Sequence, residues 1–437
     1  MESMSRPLVR LLGQGVRWAS SLRGGGSAFP GLVMEKLHPA FVAEELAKLP
    51  HGVVVISGTN GKTTTTKMAV QLLRSQGLRV FTNRTGSNFV RGVAASLLAE
   101  MNAFGRLDAD VAVLELDEAH AVHFVKQVKP RYALLLNVMR DQLDRFGEID
   151  TTRRMLSQVA KATTGTVVLN REDPRIASLA DDVAADATVE WFGLSDALRL
   201  MFPSDDDMRD VLRQTENVEL DSAQPSVARP AADVVLNAVK ANSVDLDVHG
   251  QEHTATIDLY GVYNQYNAAA ALALALQVLG DSADVASLVD ELSRVTPAFG
   301  RGETVTVEGK PLQLLLVKNP AGFRLSLASA SADDYATMIA INDAYADGRD
   351  VSWLWDVDFD SLRAGGVDIV SGVRAWDMAL RLDYDLVEVG SVDTDLESAL
   401  KQFIAGAGDR PMRIFCTYTA MLSLRKILGG MTHVDTI

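Results

Sequence analysis

The 437 residues carry 57 acidic against 42 basic side chains, a formal charge of −15 that argues against a general nucleic-acid binder, whose phosphate contacts need clustered lysine and arginine. A hydrophobic content of 47% is enough for two or three packed cores, and the chain lacks any apolar run of the roughly 18 residues a membrane helix needs. The single cysteine, Cys416, excludes an internal disulfide and any multi-cysteine metal site, and suits a reducing cytoplasm.

The first thirty residues set Arg6, Arg10, Arg17 and Arg23 among Leu8, Leu11, Leu12 and Val16, with Glu2 the only acid before Glu35. This pattern predicts a basic amphipathic helix. Three readings stay open: an organellar transit peptide, a helix resting on a membrane face, and a terminal helix packed on the first domain.

From about 50 to 180, β-branched runs at 53–56, 80–82, 111–116, 133–137 and 166–169 alternate with helical patterns, which predicts parallel strands with crossover helices. Ligands gather at the carboxyl ends of such strands, so Asn83, Glu115, Asp117, Asn137 and Asn170, which end the apolar runs, are candidates. The first run leads directly into Ser57-Gly58-Thr59-Asn60-Gly61-Lys62-Thr63-Thr64. A strand that stops at glycine turns tightly, and the helix that follows points free N–H groups at an anion. That predicts a nucleoside triphosphate site, with Lys62 on the outer phosphates and the Thr63 hydroxyl on Mg²⁺. Ile56 stands where an eight-residue phosphate loop has its first glycine, so the competing reading is a glycine-rich turn with a chance lysine. Glu115 is the candidate second magnesium ligand, directly or through water, although acids at strand ends are often simply solvated.

Residues 140–147 mix Arg140 and Arg145 with Asp141 and Asp144, as surface ion pairs opening a helix would. Residues 190–255 turn acidic and proline-bearing and predict an insertion of short antiparallel strands, such as 244–248. A helix follows over 264–279. Asn264 and Asn267 share one of its faces, where an amide can read an adenine edge, and Asn264 suits an N-cap equally well. The first large unit is expected to end near 299–303. Apolar runs at 312–317, 337–341, 367–371, 386–389 and 412–415 predict a second doubly wound α/β domain. Six aspartates and two tryptophans fall between Asp343 and Asp360 without the Asp-x-Asp-x-Asp-Gly spacing of a calcium loop, and such a loop suits docking.

The phosphate loop with Glu115, Gly261-x-x-Asn264-x-x-Asn267 and Gly300-Arg301 resembles the Mur ligase family of ATP-dependent amide-bond-forming enzymes. Residues 140–150, 318–322 and 347–353 look like its MurT branch. The resemblance implies a central ATP-binding domain with a parallel sheet and a small inserted subdomain over about 36–304 (insertion 190–255), preceded by the basic segment 1–35. A Rossmann-like α/β domain, 305–437, would follow and contact a GatD-type glutaminase. It implies ATP and Mg²⁺ as cofactors and amidation of the α-carboxylate of D-glutamate in lipid II to D-isoglutamine through an acyl phosphate. Ammonia would come from the glutaminase. The implied ATP-binding set is Gly58, Thr59, Asn60, Gly61, Lys62, Thr63, Thr64, Asn264, Asn267 and Arg301, with Asn267 on the adenine and Thr63 and Glu115 on the metal. Lys62 would act in catalysis, and Asp350 would be the third member of the glutaminase triad, orienting the partner's histidine. The implied setting is the cytoplasm, with lipid II at the inner membrane leaflet.

One departure stands out. The branch carries four zinc-ribbon cysteines in the insertion, and residues 195–230 have none here, so no zinc is expected. Two alternatives compete: an amino-acid-adding Mur ligase or folylpolyglutamate synthase relative, which leaves 347–353 unexplained, and a nucleotide-binding scaffold without turnover, which leaves Lys62, Thr63 and Glu115 unexplained.

Overall fold

The computed structural model describes residues 29–83, 90–102, 105–139, 149–201, 229–240, 243–257, 262–295, 301–328 and 335–431. These fall into two compact units, the first holding most of the chain up to Val295, the second built chiefly from residues 301–431 with the chain around Asn264 grouped with it. Residues 1–28 and 140–148 lie outside the described residues, and with them most of the basic segment and of the 140–150 motif.

The first unit opens with α1 (Phe29–Leu37) and α2 (Phe41–Leu46). Gly31 lets α1 lie against later backbone, because a Cβ there would sit 1.9 Å from the Arg91 carbonyl oxygen. The alternation of strand and helix then follows the hydrophobic pattern: β1 (Val53–Ser57), α3 (Lys62–Ser75), β2 (Val80–Thr82), α4 (Val90–Glu100), β3 (Val111–Glu115), α5 (Glu118–Val125), β4 (Tyr132–Leu135), α6 (Ile149–Ala162) and β5 (Thr166–Asn170). β1, β3, β4 and β5 are buried at every position, as strands covered on both faces require. The short α7 (Pro174–Ala177) is capped by Asp173, whose carboxylate accepts from the N–H groups of Arg175 and Ile176.

The stretch expected as an antiparallel insertion extends the same sheet. β6 (Thr188–Leu194) and β7 (Val234–Val239) add in parallel, and β8 (Ser243–Val248) pairs antiparallel with both β7 and β9 (Gln251–Thr256). His249 and Gly250, both at positive φ, make the two-residue turn between β8 and β9. The nine strands run in the order β2-β3-β1-β4-β5-β6-β7-β8-β9. α8 (Val262–Leu279) is buried all round from Ala268 to Ala275, so it reads as a core helix, and α9 (Val285–Glu291) follows. Asn264 lies inside the first turn of α8 rather than at its cap.

The second unit begins with a hairpin that the hydrophobic pattern missed: β10 (Arg301–Val307) pairs antiparallel with β11 (Lys310–Leu316) through Glu308 and Gly309, both at positive φ. α10 (Pro320–Ala328), β12 (Ala336–Ala340), β13 (Val367–Ser371), α11 (Ala375–Tyr384), β14 (Val389–Asp393), α12 (Leu396–Gly406), β15 (Met412–Cys416) and α13 (Tyr418–Leu428) complete it. The run at 386–389 is not itself a strand: Leu386, at φ 59, turns the chain, and β14 starts only at Val389. The sheet order is β10-β11-β15-β12-β13-β14. Alternate residues of its strands feed two cores, with Leu314, Met338 and Ile414 on one face and Leu315, Ile339 and Phe415 on the other. Among the described residues, no helix is long and apolar enough to cross a membrane.

Candidate active site

β1 lies inside the first sheet between β3 and β4, where the crossover direction reverses, so the turn after β1 opens at the topological switch point. Gly58 (φ 132) and Gly61 (φ 87) take backbone conformations that a side chain resists. A Cβ on Gly61 would also come 2.5 Å from Asn267 Oδ1, which places α8 against the loop. α3 starts at Lys62 with Gly61, which has no side chain, at its cap; a helix N-terminus of this kind suits an anion.

Side chains from neighbouring strand ends fix the loop. The Asn60 N–H donates to Asn137 Oδ1 at 2.8 Å, Asn137 Nδ2 donates to Asn60 O at 3.0 Å, and the Thr59 N–H donates to Asn137 O at 3.0 Å. One asparagine after β4 therefore clamps the loop on both sides. Behind it, Asn170 Nδ2 donates to Leu136 O, the Tyr266 hydroxyl donates to Asn170 Oδ1, and the Val138 N–H donates to Asp173 Oδ2 at 2.7 Å. Asp173 is buried, and burial raises its pKa to about 6 against the opposing pull of the N–H groups of Val138, Ile176 and Arg175.

The charged groups meet at the loop's mouth. Thr63 Oγ1 donates to Glu115 Oε1 at 2.9 Å, and Asn83 holds Glu115 through a reciprocal pair of bonds to its backbone, each 2.9 Å. A hydroxyl and a carboxylate oxygen, both hard donors, fit a magnesium ion. The Lys62 ammonium folds back over the loop, donating to Gly58 O, to Thr59 O at 3.3 Å and to Glu118 Oε2 at 3.3 Å. Glu118, one of the acids that close the 113–118 run, had no role of its own in the sequence reading, where Glu115 was preferred; it opens α5 three residues past the end of β3. Asp117 caps α5 at the Ala119 N–H. The buried hydroxyl of Thr64 has no hydrogen-bond partner among the described residues, which suits an anion beside Thr63. Asn264 and Asn267 are both buried on α8. Arg301 opens β10, and its side chain lies outside the described residues.

Asp350 belongs to the second unit. It is exposed, on the chain between β12 and β13, and accepts the Ser352 N–H at 2.8 Å; the Ser352 side chain first, and then this N–H, hold its carboxyl below the usual range. The loop's base is closed. Buried Asp347 accepts from the Thr419 N–H at 2.7 Å, from the Thr419 hydroxyl and from the Ala344 N–H at 3.1 Å. The Asn342 N–H donates to Thr417 Oγ1 at 2.8 Å, and Asn342 Nδ2 donates to Thr419 Oγ1 at 3.1 Å. Cys416 is buried at the end of β15, where burial, helped by Asp347, pushes its thiol well above the ordinary range, so it offers no thiolate.

Two family models match the chain: Mur ligase middle domain over residues 56–275 and MurT ligase C-terminal over residues 316–421. The chain is 31% identical, over 98% of its length and 98% of the relative's, to the lipid II isoglutaminyl synthase (glutamine-hydrolyzing) subunit MurT of Streptococcus pneumoniae. To the protein of the same name from Staphylococcus aureus strain N315 it is 29% identical, over 83% of this chain and 84% of that one. Solved structures share the fold: MurF from Acinetobacter baumannii (TM-score 0.68, 19% identity, 92% of this chain and 80% of that one) and folylpolyglutamate synthase from Mycobacterium tuberculosis (TM-score 0.61, 16% identity, 93% and 99%).

Proposed function

This chain belongs to the MurT branch of the Mur ligase family, and we propose on that premise a division of its chemistry between a carboxylate-activating site at the first sheet and a glutaminase-assisting carboxylate, Asp350, on the second unit. The enzyme is an ATP-dependent ligase that amidates lipid II as one subunit of a complex. The observation that carries the site assignment is the Thr63 hydroxyl meeting Glu115 at 2.9 Å beside Lys62.

A carboxylate and ammonia do not condense unaided. In our reading the α-carboxylate of D-glutamate in the stem peptide attacks the γ-phosphorus of ATP, ADP leaves, and an acyl phosphate forms. Ammonia then attacks the acyl carbon and expels inorganic phosphate, the surplus proton passing to solvent. The N–H groups of the 58–61 turn cradle phosphate oxygens, and Lys62 stabilises negative charge on the transferring phosphoryl group. Mg²⁺, held by Thr63 and Glu115, would neutralise phosphate charge. Gly58, Thr59, Asn60, Gly61 and Thr64 complete the phosphate side, with Asn267 on the rest of the nucleotide.

The nitrogen source follows from what the chain lacks. Its single thiol is buried and held protonated, so glutamine hydrolysis falls to a partner with its own cysteine and histidine, a GatD-type glutaminase. Exposed Asp350 is free to orient that histidine, as the third member of a triad does. Lipid II places the complex at the inner leaflet of the cytoplasmic membrane.

The test is amidation of lipid II with ATP and Mg²⁺, supplied either with glutamine and the glutaminase or with an ammonium salt. The expected result is product from both sources for the wild type and from ammonium alone for Asp350→Asn. Product from an added amino acid, with none from ammonium, would replace amidation by amino-acid addition.

A further inference from the structure

A lysine ammonium rides on a flexible four-carbon stem, so its position is set by its partners rather than by its backbone. Two acceptors of the Lys62 ammonium, the carbonyls of Gly58 and Thr59, belong to the turn that the lysine serves. The third comes from a different element: Glu118 Oε2, 3.3 Å away, on the first residue of α5. Both side chains are buried, that of Lys62 10% and that of Glu118 7% exposed. A buried charge pair returns little net stability once its desolvation is counted, so the fold gains little from this one.

The segment that carries Glu118 is stitched to the strand that leads into the turn. The Leu116 N–H donates to Ile56 O at 3.1 Å, and the Ser57 hydroxyl donates to Leu116 O at 2.9 Å. Asp117 then takes extended backbone and caps α5 at the Ala119 N–H, which sets Glu118 at the first position of the helix. Three acids within four residues thus have three separate partners. Glu115 meets the Thr63 hydroxyl, Asp117 its own helix, and Glu118 the Lys62 ammonium. The Glu118 carboxylate is a fixed point across from the turn's own carbonyls, and the ammonium is held between them.

We propose that Glu118 is a positioning residue for phosphoryl transfer: it holds the Lys62 ammonium at the mouth of the 58–61 turn and acts on the reaction only through that lysine. The proposal rests on the functional reading above and adds a residue to its first site. Glutamine in place of Glu118 keeps the shape of the side chain and removes the charge that fixes the ammonium. The N–H groups of the turn still grip the nucleotide, so the loss falls on the step in which charge develops on the phosphoryl group, and nucleotide affinity is spared.

The experiment compares the full chain as wild type, Glu118→Gln, Glu118→Asp, Lys62→Ala and the double variant Lys62→Ala with Glu118→Gln. It measures ADP affinity by titration calorimetry, amidation of lipid II from ammonium, melting temperature, and the position of Lys62 Nζ in crystals of wild type and Glu118→Gln. In Glu118→Gln, kcat should fall about tenfold, less than for removal of the lysine itself, with the ATP KM and ADP affinity within about twofold of wild type. Glu118→Asp should fall between the two, and Lys62 Nζ should leave its wild-type position in Glu118→Gln. In the Lys62→Ala background the glutamine substitution should cost nothing further, because both changes remove one effect. Wild-type kcat or an unmoved Nζ in Glu118→Gln overturns the proposal, and so does a further loss in the Lys62→Ala background. A higher Mg²⁺ requirement in Glu118→Gln, with or without the lysine, also overturns it and moves Glu118 to the metal. A wild type that binds ADP but amidates nothing from ammonium, with Nζ displaced in Glu118→Gln, would sink the functional reading and leave Glu118 as the residue that positions Lys62.

Discussion

The carboxyl edges of the two sheets are built alike and used differently. In both, the central strands sit where the crossover direction reverses, β1 between β3 and β4 in the first and β12 beside β15 in the second. At the first edge the chain turns through Gly58 and Gly61, and the groups around it, Lys62, Thr63 and Glu115, converge on one place. At the second, Asn342, Asp347, Thr417 and Thr419 satisfy one another, and exposed Asp350, the acid proposed to assist the glutaminase, stands further along the loop. A doubly wound sheet supplies the crevice, but the loop residues decide whether it holds a ligand or braces a loop that reaches a partner.

Removing the lysine tests the first edge most severely. Lys62→Ala should lower lipid II amidation by about 10²- to 10³-fold with either nitrogen source, the scale of losing one charge-stabilising donor. Equal loss with glutamine and ammonium is the informative part; a loss confined to glutamine would assign Lys62 to the other edge. At the second edge the prediction inverts. Asp347→Ala strips the acceptor from the Thr419 and Ala344 N–H groups, loosens the loop base, and should cost about tenfold in glutamine-driven turnover, equivalent to about 1.4 kcal/mol. Ammonium-driven turnover should hold. Parallel loss of both activities would show that the two edges are not separate.

A smaller perturbation separates loop shape from loop charge. Gly61→Ala adds one methyl at positive φ, directed at the Asn267 amide 2.5 Å away. The nucleotide should bind several-fold more weakly, on the order of 1 kcal/mol for a strained αL residue, with turnover at saturating ATP less affected. Unchanged ATP affinity would detach Asn267 from the nucleotide site.

Much of the first edge was legible in the sequence because its strands are fully buried and end abruptly in polar residues. Asn83, Asn137 and Asn170 were picked out as strand-terminating candidates, and all three proved to be braces for backbone: Asn83 for Glu115, Asn137 for the loop, Asn170 for Leu136. Strand-end polarity identifies the edge without saying whether a residue will touch ligand or scaffold, since that depends on which neighbouring strand lies beside it. Glu118 escaped for the same reason, its partnership with Lys62 being 56 residues distant in sequence. β10 was missed because Thr304 and Thr306, which alternate with buried Val305 and Val307, leave too few apolar positions for a visible run.

The gentlest test concerns a brace that ionises. Asp173 receives the Val138 N–H, one residue past the Asn137 clamp, and burial lifts its pKa to about 6 from the ordinary 3.8. A carboxyl whose folded pKa is raised holds its proton in the folded chain over a range where the unfolded chain has released it. Stability from this group is therefore present below about 4, lost as pH climbs to about 6, and constant above, a change of up to about 3 kcal/mol. Asp110, held down to about 2 by Arg79, contributes with the opposite sign, but its change falls below pH 4. Glu190, raised to about 7 chiefly by burial, has the same sign as Asp173 and is shared by any variant at residue 173. The difference in melting temperature between wild type and Asp173→Asn isolates the brace: wild type should lose ground steadily from pH 4 to 6 and then run parallel to the variant. Curves parallel across the whole range would mean that the carboxylate stays ionised behind the loop clamp, its three N–H donors outweighing its burial.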